Sequence, residues 1–487
     1  MKIVFVQNYI SVHFGITYIS AVMKQNGYLT DVFIEGLHKD IVRDICDAKP
    51  DVVGFTCITG EHRWVESRAA EIKKRLNVPI IVGGPHPTYI PEMIETNNID
   101  IICRGDGELV VLELMNRLRN KEDITDIRGL WVKQGGTVFR NKVASLVADI
   151  DQFPFPDRDI YDKYECFREE TDIVVCISRG CPFDCTFCYN AAKKKLYDGQ
   201  KIVRMRNVDC IISEINILRH KYPRIKSITF NDDNLGLNSA WLNELCEKYG
   251  AINAPPFLAS IRADFINEER VKKLKKANCF CLSVGVESGD ADMRAKILHK
   301  SISDEVFLNA AALIRKFGIR LKTTNMCFLP GETIGMAFET LKLNLKMKVQ
   351  YPSIYPLQPY PGTEIYKYAV ENGFLDSSFS FDDIDPLGML ESPLMPNLKD
   401  GKKIKVLNGL FYYGVRIPWF IYLLRLLVFI PPNPVFGILH RLAILMNFAG
   451  YHQLNIIRAL KIALQVNKIE KRKLSRSGQS VSLVGVF

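Results

Sequence analysis

Three cysteines stand at C-x3-C-x2-C spacing in Arg179-Gly-Cys181-Pro-Phe-Asp-Cys185-Thr-Phe-Cys188-Tyr-Asn190, directly after the apolar run Ile173–Ser178. Three thiolates on one short loop can each bind one iron of a [4Fe–4S] cluster and leave the fourth iron without a protein ligand. An open coordination position lets a metal centre do chemistry instead of only holding structure, as catalytic zinc sites do. A zinc knuckle would use the same residues. So would a fully ligated electron-transfer cluster that took its fourth ligand from the rest of the thirteen cysteines. The absence of any His or Cys pair at zinc-finger spacing nearby favours the open cluster.

Carboxylates and glycines recur at the ends of the strand-like runs that follow. They include Asp232 and Asp233 after Ser227–Asn231, Arg262 and Asp264 after Phe257–Ile261, and Ser283-Val-Gly-Val-Glu287-Ser-Gly289 closing Cys281–Val286. Phe328-Leu-Pro330-Gly331-Glu332-Thr333 and Pro359-Tyr-Pro361-Gly362-Thr363 follow Leu321–Phe328 and Ser353–Leu357. Any one acid alone also reads as a helix cap or a solvated loop carboxylate. Six βα units of this kind predict a partial barrel, not the closed eightfold one, with functional residues at the strand ends on one face.

Upstream, Ile3–Gln7, Thr30–Ile34, Val52–Thr56, Pro79–Val82 and Ile99–Cys103 alternate with helix-period stretches such as Arg68–Leu76 and Glu108–Leu118. That pattern predicts a parallel sheet with helices on both faces. Gly and Pro punctuate its later loops, Gly83-Gly84-Pro85-His86-Pro87-Thr88 and Arg104-Gly105-Asp106-Gly107-Glu108. Open α/β sheets bind ligands at such ends, where backbone N–H groups converge. Gly135-Gly136 predicts a hairpin turn, and Phe153-Pro-Phe-Pro156 a stiff connector.

The cysteine loop resembles that of the radical S-adenosylmethionine (SAM) superfamily, whose C-x3-C-x-aromatic-C pattern is matched by Cys181, Cys185, Phe187 and Cys188. The resemblance implies that the open iron chelates SAM and that a reduced cluster cleaves it to a 5′-deoxyadenosyl radical. It implies that Phe187 and Tyr189 lie against the cluster and the adenine, and that Asp232 and Asp233 serve the methionine amino group. By the same resemblance Arg262 would pair with the SAM carboxylate, and Ser283 and Glu287 would meet the ribose side. Phe-Asn-Asp-Asp-Asn stands where many members carry Gly-Gly-Glu.

The N-terminal part resembles the cobalamin-binding domain that precedes many radical SAM methylases and cyclases. The two resemblances together cover about residues 1–375. They imply a corrin tail held by Ser11, Thr56 and Thr59, by Gly83, Gly84, Pro85, His86 and Thr88, and by Arg104, Gly105, Asp106, Gly107 and Glu108. The D-x-H-x-x-G signature that supplies a cobalt-ligating His elsewhere is absent; the first loop reads Asn8-Tyr-Ile-Ser11-Val-His13-Phe-Gly15. His13 and His86 are read as hydrogen-bonded loop residues ahead of metal ligands. A relic sheet that binds no corrin is the other outcome.

The chain has 487 residues, 47% hydrophobic and 24% charged, which excludes a mainly disordered or collagen-like protein. Its net charge of +10 is concentrated in the C-terminal region, since Gly401 to Ile469 holds no Asp or Glu. The basicity therefore does not point to nucleic acid; it points to an anionic surface met by that region. Leu410–Ile430 and Val435–Phe448 are apolar, but Arg425 and Pro431-Pro432 argue against a membrane span. Interfacial helices on an anionic membrane and a helical cap on the barrel are the two readings. Ser475 to Phe487 is expected to be flexible. An odd cysteine count and a strand-like N-terminus without a leader predict a cytoplasmic, reducing location, and the basic C-terminal region adds a peripheral one at the inner membrane surface as the further reading.

The expected fold is α/β: a doubly wound, Rossmann-like (flavodoxin-like) cobalamin-binding domain over 1–125, a linker over 126–170, a partial (β/α)6 radical SAM barrel over 171–375, and a helical, basic region over 376–487. The expected function is a cobalamin-dependent radical SAM enzyme, a methyltransferase acting on an unactivated carbon of a hydrophobic or natural-product substrate. Expected cofactors are a [4Fe–4S] cluster, SAM and cobalamin, with a flavodoxin or ferredoxin as electron donor. The alternatives are ring closure, oxidation or carbon–carbon coupling on a lipid or porphyrin, and a non-catalytic electron carrier or corrinoid sensor.

Overall fold

The structure is a computed structural model describing residues 1–376, 378–385 and 391–452, with Ile457 and Leu460. The segment Ser475–Phe487, read as flexible, lies outside the described residues.

The first sheet contains β1 (Lys2–Gln7), β2 (Leu29–Ile34), β3 (Val52–Thr56), β4 (Ile80–Gly83), β5 (Ile101–Cys103), β6 (Leu130–Gln134) and β7 (Thr137–Arg140), in the order β2-β1-β3-β4-β5-β6-β7. The five-strand core is parallel, and β6 and β7 add to it antiparallel. Alternate residues of β1 explain the layering. Ile3 and Phe5 enter one apolar core with Val22 and Val111, whereas Val4 and Val6 enter a second core with Val65 and Ala69. Helices thus cover both faces, as near-continuous apolar strands require. The chain reverses direction across the sheet between β1 and β3, and a crevice opens there at the carboxyl ends.

The Gly135-Gly136 turn forms as read, both residues with positive φ. Its hairpin, however, belongs to the first sheet, because β6 pairs with β5. The sheet therefore runs past residue 125 into the stretch read as a linker.

The second sheet contains β8 (Asp172–Cys176), β11 (Ser227–Asn231), β12 (Phe257–Ser260), β13 (Cys279–Glu287), β14 (Arg320–Cys327) and β15 (Tyr351–Pro356), while β9 (Ser178–Arg179) and β10 (Arg204–Met205) form a small ribbon beside it. Its order is β15-β14-β13-β12-β11-β8, all parallel, so β8 and β15 are the two edges of an open barrel. Outward residues such as Ile173, Val175, Phe230, Leu282, Val284 and Leu321 form one apolar core under the helices. Register places the alternate residues, among them Asp172, Thr229, Ser283 and Lys322, on the inner face.

Helix Gly401–Arg416 buries Ile404, Leu407, Leu410 and Phe411 and acts as the barrel cap foreseen for this region. Helices Phe420–Leu427 and Pro434–Tyr451 leave Tyr422, Leu426, Val435, Ile438 and Leu442 exposed. Among the described residues no helix is long and apolar enough to cross a membrane.

Candidate active site between the sheet crevice and the cysteine loop

The cysteine loop leaves β9 through Gly180, which takes φ +88 and passes so close to Ile202 that an added Cβ would lie 2.3 Å from its carbonyl oxygen. The Gly180 N–H donates to Asp233 Oδ2 at 2.9 Å. Further along, the Thr186 hydroxyl donates to the Ile297 carbonyl at 2.6 Å, and the Cys188 thiol accepts from the Asn190 N–H at 3.4 Å as helix Tyr189–Leu196 begins. All three thiols are free and partly exposed. Burial pushes Cys181 up to about 11 and raises Cys185 and Cys188 as well; Cys181 also senses the charge of both other thiols, and Cys185 that of Cys188.

These residues fit an iron–sulfur cluster. Three free, partly exposed thiols spaced along one short loop can each go to a different iron of a four-iron cluster. Binding would expel the thiol protons that burial retains.

Around the loop, Asp232 is buried at the end of β11 and burial raises its pKa. Its Oδ1 accepts from the Ser178 hydroxyl and from the Asn234 N–H, while Oδ2 has no partner among the described residues. A buried carboxylate oxygen left open in this way fits an ammonium donor such as the amino group of SAM. Glu287, held at φ +67, accepts from Lys300 Nζ at 3.0 Å. A Cβ on Gly285 would lie 2.3 Å from the Glu287 carboxylate and 2.6 Å from Lys300 Nζ, so this pair requires glycine beneath it. Ser283 sits on the same strand, buried.

Three of the expected SAM contacts differ from the reading. Arg262 is not free to clamp a ligand carboxylate. Its Nε and Nη2 donate to Asp264 at 3.1 and 2.9 Å, and its guanidinium lies 3.6 Å over the Phe183 ring of the cysteine loop. Tyr189 stacks on Tyr89 at 5.3 Å and on Tyr360 at 5.2 Å, so its ring is committed to tyrosines and not to an adenine. Phe187 packs into an apolar cluster with Met293, Leu329 and Leu357. Each of these residues braces the loop, and apart from Asp264, two residues from Arg262, the partners are too distant in sequence for local pattern to reveal.

A cavity of about 380 Å³ lies between the first sheet and the start of the barrel, in the range of small-molecule sites. Thr56, Gly83, Gly84 and Gly105 to Glu108 line it from the sheet side, and Gly180, Asn190, Asp232 and Asp233 from the barrel side. A corrin nucleotide tail fits the sheet side of this crevice. Gly84 has φ +110, with a Cβ position 2.6 Å from the Cys57 carbonyl. Thr88 fastens the two glycine loops by donating to the Gly84 carbonyl at 2.8 Å and accepting from the Gly105 N–H at 3.1 Å.

Other expected corrin contacts stand outside this lining. Arg104 donates to the Thr88 carbonyl at 3.2 Å, Ser11 is exposed, and Pro85 starts a short helix. His86 is buried and stacked on His62 at 4.6 Å, with Nδ1 3.3 Å from the Thr59 hydroxyl. Burial, then the neighbouring His62, pushes it down to about 3, which keeps it neutral. Thr59 Oγ1 also lies 3.3 Å from the Tyr189 hydroxyl. His86 is thus a hydrogen-bonded histidine, on the short helix Pro85–Tyr89. The His13 backbone N–H donates to the Tyr161 hydroxyl at 3.3 Å, while its Nε2 is buried without a partner among the described residues and burial lowers its pKa to about 4.

Sequence reasoning missed the clamp that joins the two halves. Asp106 accepts from Lys193 at 2.6 Å and Arg204 at 2.8 Å and lies 3.5 Å from Arg179, which also meets Glu108 at 2.7 Å. Burial alone would raise the Asp106 pKa, yet Lys193, Arg179 and Arg204 hold it well below the usual carboxylate range. The Tyr197 hydroxyl, occupying the space where Gly105 lacks a Cβ, accepts from the Asp106 N–H at 3.3 Å. The one available signal was Arg179, two residues before Cys181. Lys193 and Arg204 lie 87 and 98 residues from their partner and carry none.

A doubly wound sheet with a glycine-lined crevice, facing an open barrel that carries a three-cysteine loop, defines a radical SAM enzyme with a cobalamin-binding domain. Comparison with known proteins agrees. Residues 3–115 match the B12 binding domain and residues 175–343 the Radical SAM superfamily. The chain is 30% identical over 373 residues to an uncharacterized methyltransferase of Pyrococcus horikoshii, covering 74% of this chain and 79% of that one. It is 24% identical over 371 residues to the anaerobic magnesium-protoporphyrin IX monomethyl ester cyclase of Rubrivivax gelatinosus, covering 72% of this chain and 65% of the cyclase. The fold resembles the radical SAM methyltransferase TsrM of Kitasatospora setae, solved with cobalamin and a [4Fe–4S] cluster, with TM-score 0.63, 16% identity and 80% of each chain covered. The chain belongs to the cobalamin-binding-domain radical SAM family. Its cofactors are a [4Fe–4S] cluster, SAM and cobalamin.

Proposed function

We propose that the protein transfers a methyl group to an unactivated carbon of a hydrophobic substrate. The observation that carries this reading is the shared cavity, whose two walls come from the glycine loops of the first sheet and from the residues flanking the cysteine loop. When bound, the cofactors supply a 5′-deoxyadenosyl radical on one side and a cobalt-borne methyl group on the other. Cys181, Cys185 and Cys188 would hold the cluster. Asp232 Oδ2 would accept from the SAM ammonium, and Asp233 holds the loop entry through Gly180. Glu287, paired with Lys300, and Ser283 would face the ribose. Thr56, Gly83, Gly84 and the Gly105–Glu108 stretch would cradle the corrin tail, with the first sheet through β7 as corrin unit and 171–375 as reaction unit. The Asp106 clamp would hold the two units in register.

The test is methyl-labelled SAM with reductant: label in product, with deoxyadenosine formed alongside it, is the expected result. Deoxyadenosine without label in product would favour the second reading, a ring closure or oxidation of the kind named for the cyclase relative. The reductant is read as a flavodoxin or ferredoxin.

The exposed apolar residues of helices Phe420–Leu427 and Pro434–Tyr451, with Arg425 and Arg441 among them, Arg416 just before them and no acid, support docking on an anionic membrane from the cytoplasmic side. Co-sedimentation should be strong with anionic vesicles, weak with neutral ones and reduced by salt. Equal recovery on both vesicle types would remove this reading.

A further inference from the structure

At the end of the barrel away from the cysteine loop, a second cavity of about 230 Å³ lies between β14, β15 and the helices Gly401–Arg416 and Pro434–Tyr451. The last of these helices bridges the two barrel edges. Asn447 Nδ2 donates to the Pro352 carbonyl at 2.9 Å and the Ser353 hydroxyl at 3.1 Å on β15, and His452 Nδ1 lies 2.8 Å from Asp172 Oδ2 on β8.

Lys322 lines this chamber from the inner face of β14, its Nζ 3.7 Å from the Tyr451 ring centre. Among the described residues no carboxylate forms an ion pair with it. The neighbouring Cys281 thiol, pushed up to about 12 by burial, stays neutral and supplies no counter-charge. Burial lowers the Lys322 pKa, as expected for an ammonium with only a π face beside it. The Oδ1 atoms of Asn408 and Asn447, both residues of the lining, are buried acceptors without partners among the described residues. Other walls are apolar: Ile354, Ala443 and Ile444.

A half-buried cation with no ion-pair partner among the described residues, two unfilled acceptors and apolar walls are the complement of a definite kind of ligand, the nearby Asp172 carboxylate being taken by His452. We propose that this chamber binds the acidic head of an amphiphile. The head is a carboxylate or phosphate monoester that pairs with Lys322 and carries a hydroxyl or N–H group for Asn408 and Asn447. The apolar body lies against Ile354, Ala443 and Ile444. No acid in the stretch from Gly401 to Ile469 competes for the lysine. Because this is a binding site, it stands or falls independently of methyl transfer.

Equilibrium binding to the holoenzyme tests it, with palmitate, decyl phosphate, hexadecanol, acetate and inorganic phosphate as probes and no turnover needed. Palmitate or decyl phosphate should bind saturably, the better of the two naming the head group, and about tenfold or more tighter than hexadecanol, whose hydroxyl can meet the amide oxygens but brings no negative charge to the ammonium. Lys322→Met should weaken the acidic amphiphile about tenfold or more and leave hexadecanol unchanged, and Lys322→Arg should retain binding. The thermal midpoint of ligand-free Lys322→Met should not fall, since the substitution removes a half-buried charge that has no ion-pair partner among the described residues; that measurement separates lost binding from lost folding. Equal affinity for palmitate and hexadecanol, unchanged binding in Lys322→Met, or acetate and phosphate binding as tightly as the amphiphiles would each overturn the proposal.

Discussion

The two sheets are built from the same kind of parallel strand and bury it differently. In the first sheet, neighbouring β1 residues enter two separate apolar cores, so neither face of the sheet is free and only the carboxyl ends can meet a ligand. In the second, one face is apolar under its helices and the other turns polar residues such as Asp172, Ser283 and Lys322 inward. A sheet sealed on both faces makes a rigid holder with one working edge. A sheet open on one face makes a chamber whose wall can take part in chemistry. The division of labour between holding the corrin and generating the radical follows from which faces are filled.

The comparison can be broken at its reactive side, at its joint and within the barrel. The largest effect is expected for Cys185→Ala, which should abolish deoxyadenosine formation and the cluster absorbance while far-ultraviolet circular dichroism stays unchanged. Normal turnover in this variant would remove the cluster assignment. At the joint, Asp106→Asn leaves Lys193, Arg204 and Arg179 facing a neutral side chain. Breaking such a buried ionic group costs about 3 kcal/mol, to be read in denaturant unfolding and as weaker corrin retention on gel filtration. Unchanged stability and retention would mean that the clamp does not couple the two sheets.

Within the barrel, Glu332 gives a pH signature. It is buried after β14, where its Oε2 accepts from the Leu329 N–H at 3.1 Å, and burial raises its pKa from 4.5 to about 8. The folded pKa exceeds the unfolded one, so its contribution is fully present below pH 4.5 and is lost as pH rises toward about 8. Across that window wild type should lose stability by about 1 kcal/mol per pH unit relative to Glu332→Gln, measured by thermal melts from pH 5 to 8. Parallel curves would show that Glu332 does not titrate in this range.

The strands were legible because each is a short apolar run bounded by Gly, Pro or acidic residues. Val52–Thr56 and Ser227–Asn231 occur with the limits read from sequence, and the others shift by a residue or two. The cysteine spacing was legible because the chemistry it serves needs all its ligands on one loop. Side-chain roles were less so. Arg262, Tyr189 and Phe187 were read as facing a ligand, yet Asp264 and Phe183, Tyr89 and Tyr360, and the Met293 cluster take them. The Gly135-Gly136 turn was plain, but nothing local showed that its hairpin would pair with β5.

The sequence by itself determined the class of chemistry and the order of the elements, because metal-ligand spacing and strand periodicity are local and survive without knowledge of the fold. The tertiary structure alone decided which polar groups are spent on one another and which remain open. Asp106 finds its cations across the interface and Glu287 finds Lys300, whereas Asp232 Oδ2 and the Lys322 ammonium find no counter-group among the described residues. The reason is physical: a charge's partner is set by proximity in space and by burial, neither of which is encoded in neighbouring residues.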